Sequence, residues 1–290
     1  MTTKSESSRT LLGDYTDEFL KTYDRVQSKM MFPQTCFEDA KKRITAVASD
    51  VTCVKLLSWS GTDEEHDALV MEGLYDQQPV VLKLFHAKKE HRATREDTYL
   101  RLLEPTNTVP RVLWKRDRLL CMTPVGISLP RVIFTFASLL LEIIKDDAKV
   151  EKMYQDFVRK LATPLANAVK RIHDLNVIHK DIKPDNIILT PDLKSFLIID
   201  FEFSVLHPSK DADSSGGTMP YQSENAARGG KACFRDDYVA LCYTLAAISI
   251  GQQTWEGGAR FANEPPPISD IINMPVVEPV VKLFGKENIV

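Results

Sequence analysis

From Val177 to Leu189 the chain reads VIHKDIKPDNIIL, an apolar lead, a polar loop and an apolar exit, and the run FLIID that follows ends on a second carboxylate, Asp200. Short apolar runs on both sides of a polar loop read as buried strands that anchor the loop at its ends. So anchored, His179, Asp181, Lys183 and Asn186 are close enough in sequence to converge on one small volume. A chance polar loop between two strands accounts for any one of these residues, but not for the ordered set.

Phosphoryl transfer needs a carboxylate to orient the attacking hydroxyl, a cation over the moving phosphate, and an amide plus a carboxylate to hold Mg²⁺. Asp181, Lys183, Asn186 and Asp200 supply those types in that order. The segment resembles the HRDLKPEN catalytic loop of eukaryotic protein kinases, and DFE at 200–202 resembles their DFG. The likeness covers about residues 53–251 and points to a divergent relative of the serine/threonine kinases. It implies an α+β, bilobal protein-kinase-like fold, with a small antiparallel β lobe, a larger helical lobe, and ATP and Mg²⁺ at the site.

The same resemblance implies individual roles. Asp181 orients the substrate hydroxyl, Lys183 faces the γ-phosphate, and Asn186 and Asp200 are oxygen ligands for Mg²⁺. A lysine at position 183 resembles serine/threonine kinases or the small-molecule phosphotransferases of the same fold. QPVVLKLF resembles the third strand of the small lobe, whose lysine, here Lys83, holds the α and β phosphates. Glu96, thirteen residues on (96 − 83), resembles the helix glutamate that pairs with it, with Glu90 as fallback. CMTPVGISL resembles the hinge: Met122 guards the back of the pocket, the Thr123 carbonyl and Val125 backbone face adenine, and Gly126 opens the large lobe. GTMPY resembles the GTxxY that receives the substrate backbone, with Thr218 reaching toward Asp181 and Lys183. RDDYVALCYTLAAISIG resembles the central helix of the large lobe, with Asp236 capping the catalytic-loop backbone.

Departures from the pattern are visible too. Kinases place several glycines in the first turn of the small lobe so that backbone N–H groups close over the phosphates. Here SWSGTDEEHDAL offers only Gly61, followed by Asp63, Glu64 and Glu65. Glu202 replaces the glycine of DFG, which restricts backbone freedom and predicts a less switchable loop. Lys180 stands where many kinases have arginine, and QSE at Glu224 is one residue shorter than the usual APE anchor. Ser204, Ser209, Ser214 and Ser215 are either plain loop or phosphorylation sites.

Elsewhere periodicity sets the expectations. Phe19, Tyr23, Val26 and Met30 predict an amphipathic helix capped at Asp14 or Thr16, and Phe37, Ala40, Ile44 and Val47 predict a second. Cys53–Ser60, Ala68–Leu74 and Pro79–Phe85 predict an antiparallel meander, and Pro110–Trp114 and Arg118–Met122 two further strands. Phe157, Leu161, Leu165, Ala168 and Ile172 predict a helix into the catalytic loop, with Pro164 kinking it or, after Thr163, starting a new turn. The division expected is 1–50 as a helical extension, 51–122 as the small lobe and 123–290 as a C-terminally shortened large lobe. The extension packs on the domain or serves as an arm for a regulatory partner.

With 43% apolar residues the chain can bury a sizeable core, and a net charge of −3 gives no electrostatic case for nucleic acid or an anionic membrane. Five scattered cysteines without CxxC spacing argue for reduced thiols in the cytoplasm or nucleus, against disulfides or zinc. The first ten residues lack the apolar core of a signal peptide, and Val239–Ile250 is too short and mixed to span a bilayer. The function expected is an ATP- and Mg²⁺-dependent kinase of protein Ser/Thr hydroxyls. Two alternatives stand beside it: a pseudokinase acting as a binding or scaffold module, or a kinase of a small metabolite.

Overall fold

A computed structural model describes residues 10–27, 32–58, 68–208, 216–251 and 267–290. The chain folds into two lobes. The small lobe is built on a five-stranded antiparallel sheet of order β1-β2-β3-β5-β4. Its strands are β1 (Thr52–Ser58), β2 (Ala68–Tyr75), β3 (Gln78–Phe85), β4 (Arg111–Arg116) and β5 (Leu119–Thr123). Two helices precede the sheet, α1 (Thr16–Gln27) and α2 (Gln34–Thr45), and α3 (Glu90–Leu103) connects β3 to β4.

The two-residue period of β3 sorts its side chains onto opposite faces. Val80, Leu82 and Leu84 join Ala40 and Ile44 of α2 in an outer core, so α2 covers that face of the sheet. Lys83 and Phe85 point the other way, toward α3 and the large lobe. The register sets Lys83 opposite Leu120 and Val81 opposite Met122, which puts Met122 on the face that carries Lys83.

The large lobe contains β6 (Ile127–Ser128), α4 (Leu129–Ile143), α5 (Asp147–His173), β7 (Val177–Ile178), β8 (Ile187–Leu189), β9 (Phe196–Ile198) and β10 (Val205–Leu206). It continues with α6 (Glu224–Ala227), α7 (Phe234–Ile250), α8 (Ile268–Ile271) and α9 (Glu278–Phe284). α7 is apolar nearly all round from Val239 on, and it is buried from Asp236 to Ile248 apart from half-buried Tyr238. α5 begins at Asp146, whose carboxylate accepts the Lys149 N–H at 3.1 Å, and runs unbroken through Pro164. Pro164 removes one helical hydrogen bond, and it sits on the flank of the helix next to exposed Thr163, where water can serve the freed Lys160 carbonyl.

α1 is preceded by a 3-10 turn at Gly13–Tyr15 rather than by a side-chain cap at Asp14 or Thr16, and Met30 of the expected stripe lies outside the described residues. The two N-terminal helices serve different lobes. Phe19 of α1 packs in the large-lobe core beside α4, whereas α2 belongs to the small lobe. At the end of α1, Gln27 Oε1 accepts hydrogen bonds from Lys55 of β1 at 2.8 Å and Arg131 of α4 at 2.6 Å, one cation from each lobe. All five cysteines are free thiols. Among the described residues no helix is long and apolar enough to cross a membrane.

Candidate active site

The loop after β7 is held by backbone contacts from three directions. Asp237 of α7 accepts the backbone N–H groups of His179 and Lys180, each at 2.8 Å, and its Oδ2 also meets His173 Nε2 at 2.8 Å. Burial opposes ionisation of Asp237, but the His173 contact and the hydrogen bond from the His179 backbone N–H outweigh it and lower the carboxyl below its ordinary value. His179 accepts the Asp181 N–H at Nδ1, so its Nε2 carries the proton and donates to the Ile199 carbonyl at 3.0 Å. The Ile199 N–H donates to the Asn186 carbonyl at 2.9 Å. Ile199, the residue before Asp200, is thus gripped at both its N–H and its carbonyl. This grip supports left-handed backbone at Asp200 (φ 72°) and Lys180 (φ 74°), where non-glycine residues are uncommon.

Two side-chain clusters result. In the first, Lys83 Nζ lies 2.6 Å from Glu96 Oε2 and 2.8 Å from Asp200 Oδ1. Burial disfavours the Lys83 ammonium, yet the Asp200 and Glu96 carboxylates hold its pKa above the ordinary lysine value. For Asp200, burial is again the largest influence and again loses, here to Lys83, so the carboxyl is lowered. Glu96 is the weaker acid of the two: burial raises its pKa, Lys83 recovers only part, and Asp200 and Glu202 raise it further.

In the second cluster Asp181 Oδ2 accepts from Asn186 Nδ2 at 2.9 Å and lies 2.9 Å from Lys183 Nζ, which also donates to Thr218 Oγ1 at 2.7 Å. Asp181 Oδ1 is buried and makes no hydrogen bond among the described residues. Such an orphaned acceptor is rare in a native interior and marks a position made for something else. Asn186 spends its amide N–H groups on Asp181, which leaves its carbonyl oxygen for a cation. Among the described residues no group of three or more His, Cys, Asp or Glu side chains is placed to hold a metal ion. Mg²⁺, which keeps several waters and substrate phosphates in its shell, needs only one or two protein oxygens, so Asn186 and Asp200 fit it.

Toward the hinge, β5 ends at Thr123, and Gly126 approaches the large lobe so closely that a Cβ there would lie 2.7 Å from the Leu189 carbonyl. Gly217 has φ +91°, and a Cβ on it would stand 2.7 Å from the Lys180 carbonyl, which seats GTMPY against the catalytic loop. Gly61 lies outside the described residues, as do Ser209, Ser214 and Ser215. Ser204 is buried, and its hydroxyl donates to the His179 carbonyl at 3.3 Å.

The family model for the protein kinase domain matches residues 121–276. The chain belongs to the protein kinase domain family. A protein of Encephalitozoon cuniculi (strain GB-M1), described as a probable casein kinase I homolog, is 29% identical over 169 residues. That match takes in 52% of this chain and 53% of the relative, so the chain spans about half the length of the curated relative it matches. The kinase PK-1 of the Cydia pomonella granulovirus superposes on 73% of this chain and 73% of its own, with a TM-score of 0.51 at 17% identity, a likeness of fold.

Within this kinase domain two expectations need correcting. The carboxylate that caps the catalytic loop is Asp237, not Asp236. Asp236 occupies the third position of α7 and turns back to accept the Cys233 N–H at 2.9 Å, closing a capping box, and it also bonds Ser223 and Asn225. The next residue, rotated about 100° around the helix, is the one that faces the loop. The C-x-x-D spacing at a helix start was a signal that could have separated the pair. Glu224 is no buried anchor either: it is exposed and pairs with Arg228 at 2.5 Å, while Ser223 caps α6 and donates to Asp236 at 2.5 Å. Glu90 stands exposed at the start of α3, and of the two glutamates it is Glu96 that meets Lys83.

Proposed function

We propose that this chain transfers the γ-phosphate of ATP, with Mg²⁺, to serine or threonine hydroxyls of a protein. The observation that carries the reading is the buried, unbonded Oδ1 of Asp181, on a carboxylate whose other oxygen is held by Lys183 and Asn186. That oxygen accepts a hydrogen bond from the incoming hydroxyl and aims it, with little proton abstraction early in a loose transition state. Lys183, steadied by Thr218 and Asp181, sets a positive charge beside the transferring group. Lys83 binds phosphate oxygens while Glu96 fixes its direction, and Asn186 and Asp200 hold the cation. When bound, Mg²⁺ neutralises charge that develops on the phosphate oxygens.

Met122 and the backbone of Thr123 and Val125 form the adenine side of this site. The pairing of Lys183 with Thr218 supports hydroxyl acceptors of the serine/threonine kind, as does likeness to a protein described as a casein kinase I homolog. Free thiols at all five cysteines support the cytoplasm or nucleus as its location. A regulatory partner would use the outer faces of α1 and α2, because Phe19, Ala40 and Ile44 are consumed by the chain's own cores.

Incubation with labelled ATP and Mg²⁺ beside the Asp181→Asn variant tests the reading. Label in protein from the parent chain but not from the variant supports it. Nucleotide binding with no label from either would favour a scaffold, and label only in free alcohols would favour a metabolite kinase.

A further inference from the structure

Glu202 stands two residues beyond Asp200 and is 3% exposed. A carboxylate so buried needs a cationic or hydrogen-bonding partner. It comes from α3: Arg92 Nη1 donates to Glu202 Oε1 at 3.0 Å, and Arg95 Nη1 donates to the Glu202 carbonyl at 3.4 Å. Arg92, Arg95 and Glu96 lie on one face of α3, three and four residues apart. Glu96, which meets Lys83, therefore lies one helical turn from Arg92 and directly follows Arg95, the two residues that meet Glu202. Any roll or outward shift of α3 that withdrew Glu96 from Lys83 would also strip the buried Glu202 carboxylate of Arg92.

The contact continues beyond the pair. The Arg92 guanidinium lies over the Phe203 ring at 4.8 Å, and that ring closes on Gly216, where a Cβ would meet it at 2.6 Å. Gly216 leads into Gly217 and Thr218, the residues seated on Lys180 and Lys183. A chain of direct contacts thus joins α3 to the segment that receives the substrate.

We propose that Glu202 is a positioning residue: through Arg92 it fixes α3 in the register that delivers Glu96 to Lys83, a permanent carboxylate holding the helix without an added phosphate. Its kinetic consequence rests on the phosphoryl-transfer reading, but its structural consequence does not. Glycine at this position would take the carboxylate away from Arg92 and leave α3 held there only by Arg95 on the backbone carbonyl, which loosens that face of the helix.

Hydrogen exchange of the nucleotide-free chain, read by mass spectrometry over residues 90–103, tests the structural part. Glu202→Gln, Glu202→Gly, Arg92→Met and the double variant Glu202→Gln/Arg92→Met are compared with the parent and with Glu202→Asp. Faster exchange in α3, unchanged exchange in α5 and α7, and a double variant no worse than the worse single variant are expected. In the active chain kcat falls by about tenfold in Glu202→Gln, with a smaller change in KM for ATP, and Glu202→Asp recovers part of it. Unchanged α3 exchange in Glu202→Gly and Arg92→Met overturns the proposal. So does strict additivity of the two changes, or a rise in exchange spread evenly over α3, α5 and α7 in Glu202→Gln. A parent chain that labels no protein would sink the phosphoryl-transfer reading and leave the exchange result to decide this one.

Discussion

Lys83 Nζ stands 2.8 Å from Asp200 Oδ1, although 117 positions of chain separate the two residues. One ammonium thereby joins the small-lobe sheet to the end of β9, with Glu96 on its other side at 2.6 Å. Replacing it by methionine keeps much of the apolar stem but leaves two carboxylates sharing no cation. Lys83→Met is expected to lose roughly 3 kcal/mol of stability, the cost of breaking a buried pair, and to abolish phosphoryl transfer. Denaturant unfolding and labelled-phosphate incorporation measure the two effects.

Asp181→Asn replaces one carboxylate oxygen by an N–H donor at a position where the site offers donors already. Phosphoryl transfer in single turnover is expected to drop by about 10²- to 10⁴-fold. On the proposed reading, which gives nucleotide binding to Lys83, Asp200 and the hinge, nucleotide affinity is expected to stay near the parent value. Parent-like turnover in this variant would remove Asp181 from the mechanism.

Asp237→Asn offers one acceptor oxygen where two backbone N–H groups and His173 converge, and its own amide N–H groups face donors. A loss of roughly 3 kcal/mol is expected. Because the folded-state pKa of Asp237 lies below its unfolded value of about 3.9, its contribution is complete above that range and vanishes as pH falls through the folded value. The variant's stability should therefore change less with acid than the parent's, as chemical denaturation from neutral to acid pH will show.

Glu96 behaves in the opposite sense. Burial lifts its carboxyl pKa above the unfolded value, so its proton-linked share of stability is present below that value and fades as pH rises through the raised one. Its pairing with Lys83, however, requires the ionised form. Lowering the pH should erode kcat/KM for ATP from a point above the ordinary glutamate range, while folding is not weakened by that same proton. In Glu96→Gln the acid limb due to this group disappears and the remaining activity is low, as a pH–rate profile will show.

The meeting of Asp181, Lys183 and Asn186 was legible because the three are nearly contiguous and need only one loop to come together. Lys83 and Glu96 were legible through strand and helix patterns, and the period of β3 fixed which face carried the lysine. Where two neighbouring residues share a chemistry, as Asp236 and Asp237 do, only the rotation between successive helix positions decides the role. Arg92 belonged to a segment crowded with charges, in which nothing local distinguishes a solvated guanidinium from one that meets a buried carboxylate 110 residues away. The unbroken course of α5 through Pro164 depends on a flanking position beside solvent, a tertiary fact that helix propensity does not carry.

Gln27 has one more implication, for how the lobes move. Its Oε1 is a single acceptor shared by Lys55 on the sheet and Arg131 on α4. Lys55 is partly desolvated there, and burial followed by the nearby Arg131 charge lowers its pKa. Opening the lobes by more than the slack of a hydrogen bond separates these two donors, so one must abandon the oxygen they share. The N-terminal helix thus acts as a tether between the sheet and α4, and any change in their separation is felt first at one amide oxygen.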